Sequence, residues 1–259
     1  LNNIKFLLIF ILFTGRKLDA VCDLPIDHDA KMEGMGLVVT PDQLQLKVAP
    51  KPTAEMGLHS KNPNLLKTKM VATIMLPPFL FQSFIGCGLQ NQYQTLSGQF
   101  SVNKYRKAIE SFLKKLNQRH HCQISLQRIE YFLSNAMMAV EKFDPVILEI
   151  LSGELSYYSR SPRHYAWYSE FENNQRIKEL WVDIFERIRL YNPQCDTPLI
   201  GILSASKDEC GIGSQYTPSK AAIADWVSLH QANLKQFTAF DVVKRLSTLI
   251  DYHNQYTIY

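Results

Sequence analysis

The run Ile4 to Phe13, IKFLLIFILF, constrains this chain more than any other stretch. Residues this apolar cannot lie along a surface helix without exposing a large hydrophobic patch. A helix of that length is also too short to cross a bilayer, which takes about 20 residues. The run resembles the apolar region of a signal peptide, and a secreted helical protein with an N-terminal signal is one reading it allows. Lys17 and Asp19 follow, however, where small residues would mark a cleavage site. The favoured reading is a buried core helix that stops at Thr14-Gly15. Such a helix needs other elements around it. A chain of 259 residues, 46% hydrophobic and 20% charged, has enough material for one large domain or two modest ones. It opens on Leu, which suggests a piece of a longer protein.

Charge and cysteine usage narrow the function classes. The net charge is +4, mildly basic, which permits nucleic-acid binding without requiring it. Five cysteines lie far apart, at 22, 87, 122, 195 and 210. Their odd number and the lack of a CxxC pair argue against a disulfide framework and a zinc site. A reducing, intracellular setting fits this usage.

The chain reads as mixed α+β and predominantly helical, with a small antiparallel β-sheet. A short helix is expected over 16–24, ended by Pro25. Leu37-Val38-Val39 reads as a strand, Thr40-Pro41-Asp42 as a turn, and 43–48 alternates as a strand does. Residues 69–76 read as a further strand, stopped by Pro77-Pro78, with a helix over 79–85. An amphipathic basic helix is expected over 103–116. Tyr105, Ile109, Phe112 and Leu116 share one of its faces, and its lysines are read as a solvated face first and a phosphate-facing one second. One helix is expected over 124–140, with Ser125 as its N-cap, and another over 144–151. Residues 172–191, 218–235 and 240–259 read as helices. In the 218–235 helix, Ala222, Trp226 and Leu229 are expected to pack inward. The connector 192–216 marks a soft boundary, giving a domain over 1–191 and a C-terminal helical extension over 192–259.

Several familiar sites are missing: no P-loop, no GxGxxG after a strand, no HExxH and no GxSxG. Gly211-Ile212-Gly213 is read as a turn. His120-His121 lacks placed partners, so no metal and no cofactor is expected. What stands out instead is 150–169, ILSGELSYYSRSPRHYAWYS, where tyrosines lie among arginines. Packing of the aromatics is the plain reading. Tyrosine beside cationic groups also suits phosphate contact, or a tyrosine nucleophile whose developing charge the arginines stabilise.

An ordered series carries this further. It runs from Thr14-Gly15-Arg16-Lys17 to Lys67-Thr68-Lys69 ahead of a strand ending at Leu76-Pro77. It continues with Ser125-Leu126-Gln127-Arg128, then Leu151-Ser152-Gly153, then His164-Tyr165. Over about 4–170 this resembles the catalytic domain of the tyrosine recombinase, or phage integrase, family. There a helix ends in Thr-Gly-x-Arg, a hairpin carries a lysine, and a His-x-x-Arg helix, a Leu-Gly-His turn and the tyrosine follow. The resemblance implies Tyr165 as nucleophile, with Tyr168 as the alternative, and Arg16, Arg128 and Lys67 as its helpers. Lys17 stands at the family's first arginine, Ser125 at its histidine, and Gly153 and Glu154 at the end of the turn. The implied function is site-specific DNA recombination through a 3′-phosphotyrosyl link, without metal, in a protein of a mobile element. Double-stranded DNA and self-association on DNA are the implied partnerships, and a cytoplasmic, bacterial or phage-borne setting the implied place, with no membrane. A catalytically degenerate DNA-binding or oligomerisation module of the same fold is the alternative.

Overall fold

In a computed structural model, the apolar run lies at the centre of the protein. The structure describes residues 2–28, 34–48, 64–69, 71–87, 94–98, 101–139, 145–153, 167–193, 210–213 and 217–235. Helix α1 (Asn2–Thr14) buries Phe6, Leu7, Leu8, Phe10, Ile11 and Phe13. It stops where expected, with the Gly15 N–H donating to Ile11 O at 2.8 Å. Around it lie α2 (Leu18–Cys22), α3 (Pro78–Ile85), α4 (Val102–His120), α5 (Leu126–Glu130) and α6 (Phe132–Met138), each in contact with α1. Helix α7 (Pro145–Ser152), α8 (Glu170–Tyr191) and α9 (Lys220–Lys235) complete the helices among the described residues. The expected single helix over 124–140 is divided at Tyr131 into α5 and α6. Ser125 does cap it, its hydroxyl accepting from Arg128 N at 3.2 Å.

A four-stranded sheet covers one side of the helices. It is built from β1 (Ile26–Asp27), β2 (Gly36–Val39), β3 (Leu44–Val48) and β5 (Ala72–Met75), in the order β1-β2-β3-β5. Leu44, Leu46 and Val48 point inward while Gln45 and Lys47 stay half-exposed, the alternation the sequence shows. Thr40 closes the β2–β3 turn, its N–H and hydroxyl both donating to Gln43 O at 3.0 Å. The sheet is mixed rather than antiparallel, because β1 joins β2 in parallel. A two-residue strand has no periodicity of its own, and only pairing reveals it.

The free edge of β5 is closed by side chains of α8. Glu170 accepts from Thr73 N at 2.6 Å, and Asn174 accepts from Met75 N and donates to Thr73 O, both at 2.8 Å. One helical turn thus stands in for a further strand, and the edge offers fewer free groups for association. Replacing Asn174 by leucine should lower unfolding free energy by about 1–3 kcal/mol, because the buried Met75 N–H loses its acceptor. A urea midpoint unchanged from the parent would show that water reaches this edge.

The second sheet is small and was not foreseen. It runs β4 (Lys67–Thr68), β7 (Cys210–Gly213), β6 (Trp167–Ser169), with β7 in the middle. The expected turn at Gly211-Ile212-Gly213 is therefore a strand, and the end of the aromatic run is its neighbour. Gly211 is needed there for close approach: a Cβ would overlap the Trp167 ring and Tyr168 O. Gly211→Ala should unpair β6 from β7 and cost about 1–3 kcal/mol, seen as a lowered Tm. Since β7 comes from beyond residue 192, the two sides of the boundary drawn from sequence share a sheet. Helix α9 differs from expectation more plainly. Ile223, Trp226, Val227 and Leu229 are exposed. Its N-terminal approach is tied to 64–66 by backbone bonds from Leu66 N to Thr217 O and from Ser219 N to Asn64 O.

Candidate functional site

Two of the motif segments that sequence singled out meet at the end of α1. The Thr14 hydroxyl donates to Phe10 O at 2.7 Å, and Thr14 Oγ1 accepts from Arg16 N at 3.4 Å. The chain is thereby bent so that the Arg16 side chain points inward, 1% exposed. Its Nε donates to Leu151 O at 2.9 Å, across 135 residues of sequence. Leu151 lies in the last turn of α7, where carbonyls lack helical partners and the helix dipole favours a cation. Nη1 rests against Met35 Sδ at 3.9 Å. Nη2 is buried and has no hydrogen-bond partner among the described residues. Burial pulls the guanidinium pKa down to about 10.

Gly153 completes the contact. Its N–H closes α7 on Glu149 O at 2.9 Å, and its φ of 71° lies in the left-handed region. A Cβ here would come within 3.0 Å of Arg16 Nη1. The Thr-Gly-Arg segment and the Leu-Ser-Gly turn are thus packed against each other through a guanidinium. The same helix buries Glu149, 3% exposed, which motif reading passed over because nothing in its spacing marks it.

The other candidates are held elsewhere. Arg128 is exposed on α5, and its Nη1 donates to Gln123 O at 2.6 Å. It flanks an apolar groove formed with Leu8, Ile9 and Leu12 of α1 and Phe112 and Leu116 of α4. Among the described residues Arg16 and Arg128 have no hydrogen-bond partner in common. Glu130, two positions on, accepts from Leu18 N at 2.9 Å and so caps α2, a role sequence reasoning missed. Lys67 lies in β4, opposite Cys210, and not on the β2–β3 hairpin. Lys69 is engaged with Glu170 at 3.0 Å, and its N–H donates to Gly211 O at 2.7 Å. Tyr168, on β6, is half-buried and packs against the core. Tyr165 lies outside the described residues, as do Arg160, Arg163 and His164.

Among the described residues no group of three or more His, Cys, Asp or Glu side chains could hold a metal ion. No helix there is long and apolar enough to cross a membrane. The arrangement offers one buried donor, Arg16 Nη2, in a place that already carries a positive charge against a helix C-terminus. Such a donor can bind an anionic oxygen strongly, because little water competes. Neither protein-family models, curated proteins nor solved structures give a match to this chain.

Proposed function

We propose that this chain is the catalytic part of a DNA breaking-and-rejoining enzyme of the tyrosine recombinase type. The observation that supports this reading best is the packing of Thr14-Gly15-Arg16 onto Leu151-Ser152-Gly153 through one buried guanidinium. These are the two segments that the resemblance assigns to the phosphate-binding end of the site. A buried, incompletely bonded arginine costs stability. Its place at this junction fits a functional demand rather than a structural one.

In the proposed reaction, a tyrosine hydroxyl oxygen attacks the scissile phosphorus and the 5′ oxygen leaves. A 3′-phosphotyrosyl bond replaces the phosphodiester bond, so rejoining needs no outside energy source. Tyr165 is the nucleophile in this reading, with Tyr168 beside it as the alternative. Arg16 and Arg128 stabilise charge on the phosphoryl oxygens, and Lys67 protonates the leaving oxygen.

A second reading has support of its own. Arg16 is turned onto a protein carbonyl and almost wholly buried, and Arg128 is turned onto Gln123 O. A degenerate module that binds DNA without cutting it would use the same fold in that way.

Suicide duplexes nicked near the cleavage point separate the two. The parent is expected to leave a covalent, protease-sensitive adduct that maps to one tyrosine. Tyr165→Phe should abolish it, or Tyr168→Phe if that residue attacks. Adducts that persist in both single variants and in the double variant would sink the assignment of these tyrosines, and a parent that forms no adduct would sink the enzyme reading. Binding without any adduct in the parent would favour the degenerate module.

A further inference from the structure

Helix α4 concentrates the positive charge of the protein. Over Val102–His120 it holds six Lys or Arg residues and one acid, Glu110, a net +5 against +4 for the whole chain. The rest of the molecule is therefore close to neutral, and the basic character belongs to one element. Tyr105, Ile109 and Leu113 are buried and set the inner face of α4. The opposite face carries Lys104, Lys107, Ser111, Lys114, Lys115 and Gln118, all exposed. These positions recur three and four residues apart, so they form one straight ridge. At 1.5 Å per residue it is about 20 Å long. Lys107, Lys114 and Lys115 make no ion pair with any described residue, so their charge is not spent on the fold.

We propose that this ridge binds the phosphate backbone of duplex DNA. The choice of DNA rests on the recombinase reading, and the choice of a duplex rests on the ridge. A single-strand site needs exposed aromatic rings on which bases stack. Here the aromatics of α4, Tyr105 and Phe112, lie on or toward its packed side. A membrane-surface helix needs an apolar face free to enter lipid. The other exposed residues of the ridge are Ser111 and Gln118, which are polar. A rigid row of lysines with polar spacers suits a fixed row of phosphates and gives affinity without sequence preference.

The test uses a random-sequence duplex of about 30 base pairs and anisotropy titrations between about 50 and 200 mM NaCl. Lys107→Gln with Lys114→Gln is compared with Arg187→Gln with Arg189→Gln, an equal charge change on exposed sites of α8. All four side chains are exposed, and equal Tm values confirm folding. Removing two phosphate contacts should reduce the slope of log K against log salt by about two and weaken low-salt binding roughly tenfold or more. The control should keep the parent slope. Equal losses in both double variants would reduce the ridge to net charge and overturn the proposal. So would a parent that prefers a single strand, or anionic vesicles, to the duplex. The adduct assay is read separately. Binding through α4 with no adduct sinks only the enzyme reading, while an adduct with unchanged binding in the ridge variant sinks only this one.

Discussion

Replacing Trp181 with alanine should remove about 3–5 kcal/mol of folding stability, the range for deleting a buried aromatic. Trp181 is 1% exposed, and its Nε1–H donates to Phe13 O at 3.0 Å. That carbonyl belongs to the last turn of α1, where helical bonding runs out. The indole lies 6.3 Å from the Phe13 ring, which in turn lies 5.4 Å from Phe185 and 5.0 Å from Phe79. Trp181, together with Phe185, therefore fastens α8 to the end of α1, immediately before Thr14-Gly15-Arg16. Urea unfolding should show a lower midpoint with an unchanged slope. Trp181→Phe keeps much of the volume but strands the carbonyl, and should cost about 1–2 kcal/mol. An alanine variant that loses less than about 1 kcal/mol would show that α8 does not hold this end of the core helix.

Arg16 should show the opposite balance between stability and function. Its pKa is depressed in the folded protein, to about 10, with burial as the cause. The charged form is thereby disfavoured by about 3 kcal/mol. Methionine at this position removes that penalty and loses one charge-assisted hydrogen bond to Leu151 O, worth about 1.5–3 kcal/mol. Arg16→Met is thus expected to be no less stable than the parent at neutral pH, yet to form no DNA adduct, a trade seen where function retains a strained group.

The pH dependence has a definite sign. With the folded pKa below the unfolded one, the unfolded chain binds more protons as pH passes 10, so stability rises with pH there. The parent should gain about 1 kcal/mol over Arg16→Met between pH 9 and 11. Two results would overturn this account. One is a flat difference across that range. The other is a methionine variant less stable at neutral pH by more than about 2 kcal/mol, which would make the guanidinium a structural strut.

Much of the fold was legible because its signals are local. The run Ile4–Phe13 reads first as a buried helix, and it is the helix at the centre of the core. Alternation over 44–48 marked the β3 strand, and Ser125 marked a helix start. Thr14-Gly15-Arg16 was visible as a helix end followed by a cation. Where it went was not, since its acceptor is Leu151 O, 135 residues away. The lysine ridge of α4 could be listed from the sequence, but not distinguished there from an ordinary solvated face. Its concentration against a nearly neutral remainder becomes an argument only once the inner face is known.

The amino-acid sequence by itself marked most of the helices among the described residues and the end of α1, because hydrophobic burial and helix stop signals act over a few residues; the helix expected over 240–259 lies outside the described residues. Tertiary structure alone decided the strands β1, β4, β6 and β7, since segments this short or glycine-rich carry no strand periodicity of their own and are set by the backbone bonds of their partners. It also decided that α9 shows its apolar face to solvent and that the 192–259 segment completes a sheet begun at residue 67. For the same reason, only the fold could set the Arg16 guanidinium against the end of α7: long-range packing brings together groups whose separation in the chain carries no signal.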